Sequence, residues 1–223
     1  MNKINRYERK WIFKNINELE VTNILLRSNL LFRFQYDNRS VNSIYFDDLN
    51  YSSIKENLDG VAEKKKYRIR WYGEKDKLNN PKLEIKTKKG FQTNKKVSEI
   101  NELNNMKFLL DQNIEKIEEI INNKLNLNKR IFPLLSTHYN RDYFISNNGL
   151  VRATVDYDLE SISLSNNKDK NIIKNYNRNI ILELKYDIDL DNYVRNSIKK
   201  ISMRLSRNSK FINSAISDPF SYS

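Results

Sequence analysis

In Tyr67-Arg68-Ile69-Arg70-Trp71, two guanidinium groups alternate with three large apolar side chains. On a β-strand a period of two sends both charges to one face and the apolar groups to the other. Five more segments repeat the pattern: Glu8 and Lys10 in RYERKWIF, Glu84 and Lys86 in PKLEIKTKK, Tyr139 and Arg141 in THYNRDYF, Arg152 in LVRATVDYD, and Glu183 and Lys185 in ILELKYD. One such face is ordinarily the solvated side of a half-buried sheet. Six of them, rich in Arg and Lys with single, regularly placed glutamates, are a different matter. Like charges on neighbouring strands repel, so a shared basic face calls for a strongly anionic ligand.

Composition narrows the chemistry. The net charge of +12 over 223 residues and the pI near 9.6 point to a polyanion: nucleic acid, an anionic membrane surface or a phosphate-rich small molecule. Cysteine is absent and His138 is the single histidine. That excludes disulfides, thiolate metal sites, a cysteine nucleophile and a multi-histidine zinc site, and a reducing cytoplasm is the simplest home. The four glycines, Gly60, Gly73, Gly90 and Gly149, stand apart, so there is no Walker loop and no Gly-rich dinucleotide fingerprint. Side chains must therefore do any phosphate binding. No signal-peptide h-region and no apolar run of transmembrane length occurs.

The elements that position these residues follow from periodicity. A first strand is expected over 4–13, then a helix from Asn15 or Asn17 with Leu19, Ile24 and Leu25 or Leu26 on its apolar side. Strands over 31–36 and 41–47 flank an expected turn at Asp37-Asn38, and a short helix over 51–58 ends at Gly60. Three strands follow, over 64–72, 82–88 and 92–100, the last two joined at Gly90. Residues 101–125 read as helix in two pieces, with Leu103, Met106, Leu109, Leu110, Ile114, Ile117 and Ile121 as the stripe. Strands over 134–145 and 150–158 meet at Asn147-Asn148-Gly149, strong hairpin chemistry. The Asn-, Lys- and Ser-rich stretch 161–179 reads as a mobile connection, 180–186 as the last strand, and 191–203 as a helix capped by Asp191. The expectation is one α+β domain over 1–217 with a frayed tail at 218–223. An eight-stranded antiparallel sheet closes readily into a barrel; apolar faces turned out toward helices would leave the charged faces in the lumen.

SIYFDD at 43–48, KYRIRWYG at 66–73, LEIKTKKG at 83–90, HYNRDYF at 138–144, LVRATVD at 150–156, LELKY at 182–186 and SRNSKF at 206–211, together with ERK near the start, resemble the VTC domain. This is the polyphosphate polymerase domain of the triphosphate tunnel metalloenzyme (CYTH-like) superfamily, and the similarity runs over nearly the whole chain in order. It implies an eight-stranded antiparallel tunnel that transfers the terminal phosphate of ATP to a growing polyphosphate chain with a divalent metal, Mn2+ or Mg2+. By position it implies catalytic roles for Lys10, Arg68, Arg70, Lys86, Arg141 and Arg152. It also implies substrate binding by Lys95, Tyr139, Arg207, Ser209 and Lys210, and metal binding by Glu183. Two positions depart from the family pattern. Arg207 stands where lysine is usual, which keeps the charge and changes the hydrogen-bond geometry. On the strand after Gly90, Lys95 fits the expected basic residue, Val97 occupies the second position, and Lys96 falls on the opposite face.

Phosphoryl transfer asks for positioning and charge stabilisation more than covalent catalysis, so the missing His and Cys nucleophiles are no obstacle. ATP and polyphosphate are the expected partners, with no specific nucleic acid. The rivals are a triphosphatase on the same fold, which would pass the phosphate to water, and a polyphosphate- or RNA-binding module, which would need the basic face but not Glu183.

Overall fold

A computed structural model describes residues 6–90, 92–108, 111–164, 174–198, 205–206 and 209–216. Nine strands share one α+β sheet: β1 (Arg6–Phe13), β2 (Arg33–Asp47), β3 (Glu63–Tyr72), β4 (Lys82–Lys89), β5 (Gln92–Glu99), β6 (Phe132–Ile145), β7 (Arg152–Ser163), β8 (Lys174–Asn177) and β9 (Ile180–Asp187). The helices are α1 (Glu18–Leu26), α2 (Ser52–Leu58), α3 (Asp111–Leu125), α4 (Asp191–Ser197) and α5 (Lys210–Ile216). The strand order is β1-β9-β7-β6-β2-β3-β4-β5, with β8 beside β7. Among the described residues this path ends at β1 and β5, and no ladder joins those two ends.

The chain divides into two compact units. The first comprises Met1–Arg39, Tyr139–Leu159 and Tyr176–Asn208. Its antiparallel ladders pair Lys10 with Glu183 and Glu8 with Lys185, and on the other side of β9 pair Thr154 with Glu183 and Arg152 with Lys185. The alternate residues, Trp11, Phe13, Ala153, Val155, Leu182, Leu184 and Tyr186, enter a core with Val21, Leu25 and Val194 from α1 and α4. Asn17 caps α1 with a reciprocal capping box to Glu20. Of the expected stripe of α1, Leu25 is buried and Ile24 packs against the core, while Leu19 is 65% exposed and Val21 is buried instead.

The second unit comprises Ser40–His138, Glu160–Asn175 and Ser209–Ser223. Here β3 pairs with β2 and β4, and β4 with β5. One face of these strands, with Ile44, Phe46, Ile69, Trp71 and Leu83, packs with Ile117 and Ile121 of α3. Gly90 turns β4 into β5 at φ 57°, a left-handed conformation that suits glycine.

Three other expectations change. Asp37-Asn38 makes no turn: β2 runs unbroken, and the Asn38 amide donates to Asp142 at 2.7 Å and to the Tyr157 hydroxyl at 2.9 Å, which holds this turn-prone side chain in a strand. In the expected connection at 161–179, β7 continues to Ser163 and a ninth strand forms at Lys174–Asn177; residues 165–173 lie outside the described set. The two helical pieces expected over 101–125 are present, a 3-10 turn at Asn101–Leu103 and α3, with Leu109 and Leu110 outside the described residues. Asp191 is the first residue of α4 rather than its cap, because its carboxylate takes the Arg9 guanidinium at 2.6 Å and the Tyr186 hydroxyl at 2.8 Å. The end expected for that helix at Met203, and the tail at 218–223, fall outside the described residues.

Candidate functional site

In the second unit the two-residue repeat of β3 lines up Lys64, Lys66, Arg68 and Arg70 on one face, opposite the apolar Ile69 and Trp71. Ladder partners extend that face: Ser43 and Tyr45 on β2, Lys82, Glu84, Lys86 and Lys88 on β4, and Lys95 on β5 across from Lys86. Glu84, 6% exposed, organises the centre. Its Oε2 accepts from Arg68 Nε at 2.7 Å and Nη2 at 2.5 Å, and its Oε1 from Lys95 Nζ at 2.6 Å. Burial works against the Glu84 charge, yet Arg68, Arg70 and Lys95 outweigh it and hold its pKa down to about 2. Lys95 is pushed down by burial and by the neighbouring arginines, against the pull of Glu84. The parity that favoured Lys95 over Lys96 holds: Lys96 pairs with Ile85 on the other face.

Two further residues complete this group. Tyr45 is buried, accepts from Arg68 Nη1 at 3.2 Å and stacks on Phe211 with ring centroids 4.9 Å apart. Burial opposes its ionisation, but the charges of Arg68, Arg70 and Lys210 bring the phenol down to about 8. Lys66 Nζ donates to Ser209 Oγ at 3.0 Å. The segment carrying Ser209 and Lys210 therefore joins the β3 row, and Arg207 lies outside the described residues. Arg70 Nε reaches Ser43 Oγ at 3.4 Å.

The first unit carries a second group. Glu183 is 5% exposed. Its Oε2 lies 3.5 Å from Lys10 Nζ, and its Oε1 forms an ion pair with Lys185, while Lys10 also meets Glu8 at 2.6 Å. Burial and Glu8 push the Glu183 pKa up; Lys10, Lys185 and Arg141 prevail and lower it. Despite the Lys185 ion pair, Oε1 receives no well-directed hydrogen bond among the described residues, and neither does the buried Oγ1 of its cross-strand partner Thr154. Arg141 is held bidentate by Asp156, Nε to Oδ1 at 2.5 Å and Nη2 to Oδ2 at 2.7 Å, with its guanidinium 5.3 Å from the ring centre of the buried Tyr139. Burial disfavours the Arg141 charge, and Asp156 more than offsets it. Arg152 is exposed and stands opposite Lys185.

Each of the eleven described candidates thus joins one of two groups: Arg68, Arg70, Lys86, Lys95, Ser209 and Lys210 in the second unit, and Lys10, Tyr139, Arg141, Arg152 and Glu183 in the first. Tyr45, Lys66, Thr154 and Asp156 were missed. Counting by two would have found Lys66 and Thr154; Tyr45 alternates with Ile44 and Phe46 in an otherwise apolar segment and reads as core. A cavity of about 360 Å3 among the described residues lies away from both groups: its lining includes Asp47, Glu56, Tyr67 and Lys129, and Tyr67 is on the apolar face of β3.

A resident metal must fit these donors. Among the described residues no group of three or more carboxylates and histidines converges, so a cation held by protein ligands alone does not fit. A divalent ion shared between Glu183 and phosphate oxygens does fit, since hard oxygen donors suit Mn2+ and Mg2+ and the Oε2 of Glu183 has the Lys10 ammonium at 3.5 Å, beyond hydrogen-bond range for a charge-assisted pair.

The family model for the VTC domain matches residues 5–217, and the chain belongs to that family. Solved structures share the fold at low identity. A candidate adenylate cyclase from Vibrio parahaemolyticus is 12% identical with a TM-score of 0.53, covering 94% of this chain and 97% of that one. A candidate adenylyl cyclase from Hippeastrum, described as having a dominant triphosphatase activity, is 13% identical at 0.50, covering 93% and 96%. A candidate adenylate cyclase from Bacillus halodurans is 10% identical at 0.50, covering 92% and 95%. Comparison with curated proteins returns no match.

Proposed function

We propose that this chain is a polyphosphate polymerase that transfers the γ-phosphate of ATP to the end of an inorganic polyphosphate chain. The observation that supports it most is the β3–β4–β5 face. Lys64 to Arg70 spans about 20 Å of strand at 3.3 Å per residue, with Lys82, Lys86, Lys88 and Lys95 alongside and Glu84 and Glu99 as the acidic residues in register. That length of cationic strip exceeds a triphosphate and suits a polymer.

In this reading the terminal oxygen of polyphosphate attacks the γ-phosphorus, the bond from that phosphorus to the β–γ bridging oxygen breaks, and ADP leaves. In the second unit Arg68, oriented by Glu84, and in the first unit Arg141, oriented by Asp156, are each suited to hold phosphate oxygens and to stabilise charge that develops on them. Lys10, Arg70, Lys86, Lys95 and Arg152 add positive charge, while Tyr139, Ser209 and Lys210 help hold the substrate. A divalent ion bound by Glu183 would supply further neutralisation of the phosphate oxygens.

The acceptor separates polymerase from hydrolase, and the neighbour with triphosphatase activity keeps the second reading in play. Purified protein incubated with ATP and Mn2+ should yield polymer on a gel stained for polyphosphate. Phosphate release without polymer would make it a triphosphatase; polyphosphate binding with neither product would make it a binding module.

A further inference from the structure

Unit one carries an aromatic group that phosphate chemistry does not use. Tyr36 is 52% exposed, a high value for a large ring in a strand, and meets the half-buried Tyr143 edge-to-face with centroids 5.9 Å apart. The Arg39 guanidinium lies 5.4 Å from the Tyr36 centroid and 5.5 Å from that of Tyr143. The neighbouring pair Phe34 and Phe144 is different, because Phe144 belongs to the core. Tyr143 alternates with Phe144 and so shares the face of Arg141 and Tyr139.

Its place on that face can be fixed. Ser146 N–H donates to the Val151 carbonyl at 2.8 Å where β6 turns toward β7, and Arg141 pairs bidentately with Asp156. Antiparallel pairing between those two points sets Tyr143 across from Thr154. Thr154 is the ladder partner of Glu183, and Glu183 that of Lys10. Tyr143, Thr154, Glu183 and Lys10 therefore form one row across four strands. At 4.7–4.9 Å per strand, Tyr143 stands about 10 Å from Glu183, the reach of a nucleotide from its base to its outer phosphates. Between them lies the buried Thr154 Oγ1, which has no hydrogen-bond partner among the described residues.

We propose that Tyr36, Tyr143 and Arg39 form a subsite for the adenine base of the phosphate donor, with the triphosphate running along the row past Thr154 toward Glu183 and Lys10. The proposal rests on the reading of ATP as donor. A base stacks on a tyrosine ring or guanidinium plane without needing sequence-specific hydrogen bonds, so the subsite accepts other purine nucleotides nearly as well. It gives the protein a means of telling a nucleotide from the end of the polyphosphate chain, whose phosphates are otherwise alike.

The test is calorimetric titration of ATP and of inorganic triphosphate into the full chain in metal-free buffer, for wild type, Tyr36→Ala, Tyr143→Ala and the matching Phe variants. Wild type should bind ATP more tightly than triphosphate. Each Ala variant should lose ATP affinity by about ten- to a hundredfold with triphosphate affinity unchanged, and each Phe variant should behave as wild type. An unchanged ATP affinity in both Ala variants overturns the subsite, as does an equal loss for the two ligands or a wild type that prefers neither; in each case phosphate binding stands. A wild type that binds neither ligand removes the ATP reading itself, and the subsite with it.

Discussion

Glu84 and Glu183 are both buried glutamates on basic strand faces, yet their oxygens are used differently. Both oxygens of Glu84 are consumed by three short, directed bonds from Arg68 and Lys95. Glu183 is neutralised by a close ion pair from Lys185 to Oε1, which is not a well-directed hydrogen bond, and by Lys10 at 3.5 Å from Oε2, and it is opposed by a second carboxylate on Glu8. A saturated carboxylate fixes its cations in place. One held only by an undirected pair and a 3.5 Å contact can give up a lysine to a metal whose charge is shared with bound phosphate. The difference lies in geometry, since both charges are stabilised by their neighbours.

The contrast can be broken most sharply on β3. Arg68→Ala or Arg70→Ala should lower ATP turnover by about a hundredfold or more, as loss of a preorganised charge donor to a transferring phosphate does. Arg70→Ala should leave thermal stability nearly unchanged, whereas Arg68→Ala should also cost about 2 kcal/mol because it strips buried Glu84 of its bidentate partner. Ile69→Ala, one residue away on the packed face, should cost about 2–4 kcal/mol of stability and leave turnover per folded molecule close to wild type. Wild-type turnover in Arg70→Ala would mean that the wrong face has been assigned to phosphate.

Glu84→Gln should cost about 2 kcal/mol in denaturant unfolding near pH 7, below the value for fully buried pairs because Lys95 is half exposed. Its pH dependence has a definite sign. The folded pKa of about 2 lies below the ordinary 4.5, so this stabilisation is complete above pH 4.5 and fades as pH falls toward 2. The wild-type acid transition should therefore be steeper than that of Glu84→Gln, and identical slopes would contradict the assignment.

The smallest effect belongs to Tyr45. With its folded pKa near 8, below the usual 10, ionisation places a negative charge beside Arg68 above pH 8 and adds stability between pH 8 and 10. Polyphosphate affinity should fall a few-fold as pH rises through 8, and Tyr45→Phe should remove that step. A step of equal size in the Phe variant would assign it to another group.

What the sequence showed and what it hid follow the same physics. While Lys95 was picked out by the family resemblance, with Lys96 falling on the opposite face by parity, the alternation in Tyr67–Trp71 gave the face of β3, because a period of two is a local property. The Gly90 and Asn147-Asn148-Gly149 turns were legible for the same reason. Asp37-Asn38 misled because the bonds from Asn38 to Asp142 and Tyr157, which keep it extended, come from residues more than a hundred positions away. Asp191 misled likewise, since its partner Arg9 lies at the other end of the chain. The pairing of Ser209 with Lys66 and the stacking of Tyr45 on Phe211 are tertiary contacts without local signature. The number of strands failed at 174–177, where four polar residues form a strand only because β7 offers an edge.

The most direct test of the distinction between the two glutamates is a Mn2+ titration in the presence of inorganic triphosphate, followed by Mn2+-dependent ATP consumption, for wild type, Glu84→Gln and Glu183→Gln. Glu183→Gln should weaken Mn2+ binding at least tenfold and suppress ATP consumption, while its metal-free polyphosphate affinity stays equal or rises because a negative charge has gone. Glu84→Gln should retain the Mn2+ affinity of wild type. Full activity and unchanged Mn2+ affinity in Glu183→Gln, or an equal loss of Mn2+ in both variants, would contradict the assignment of Glu183 as the metal-binding carboxylate.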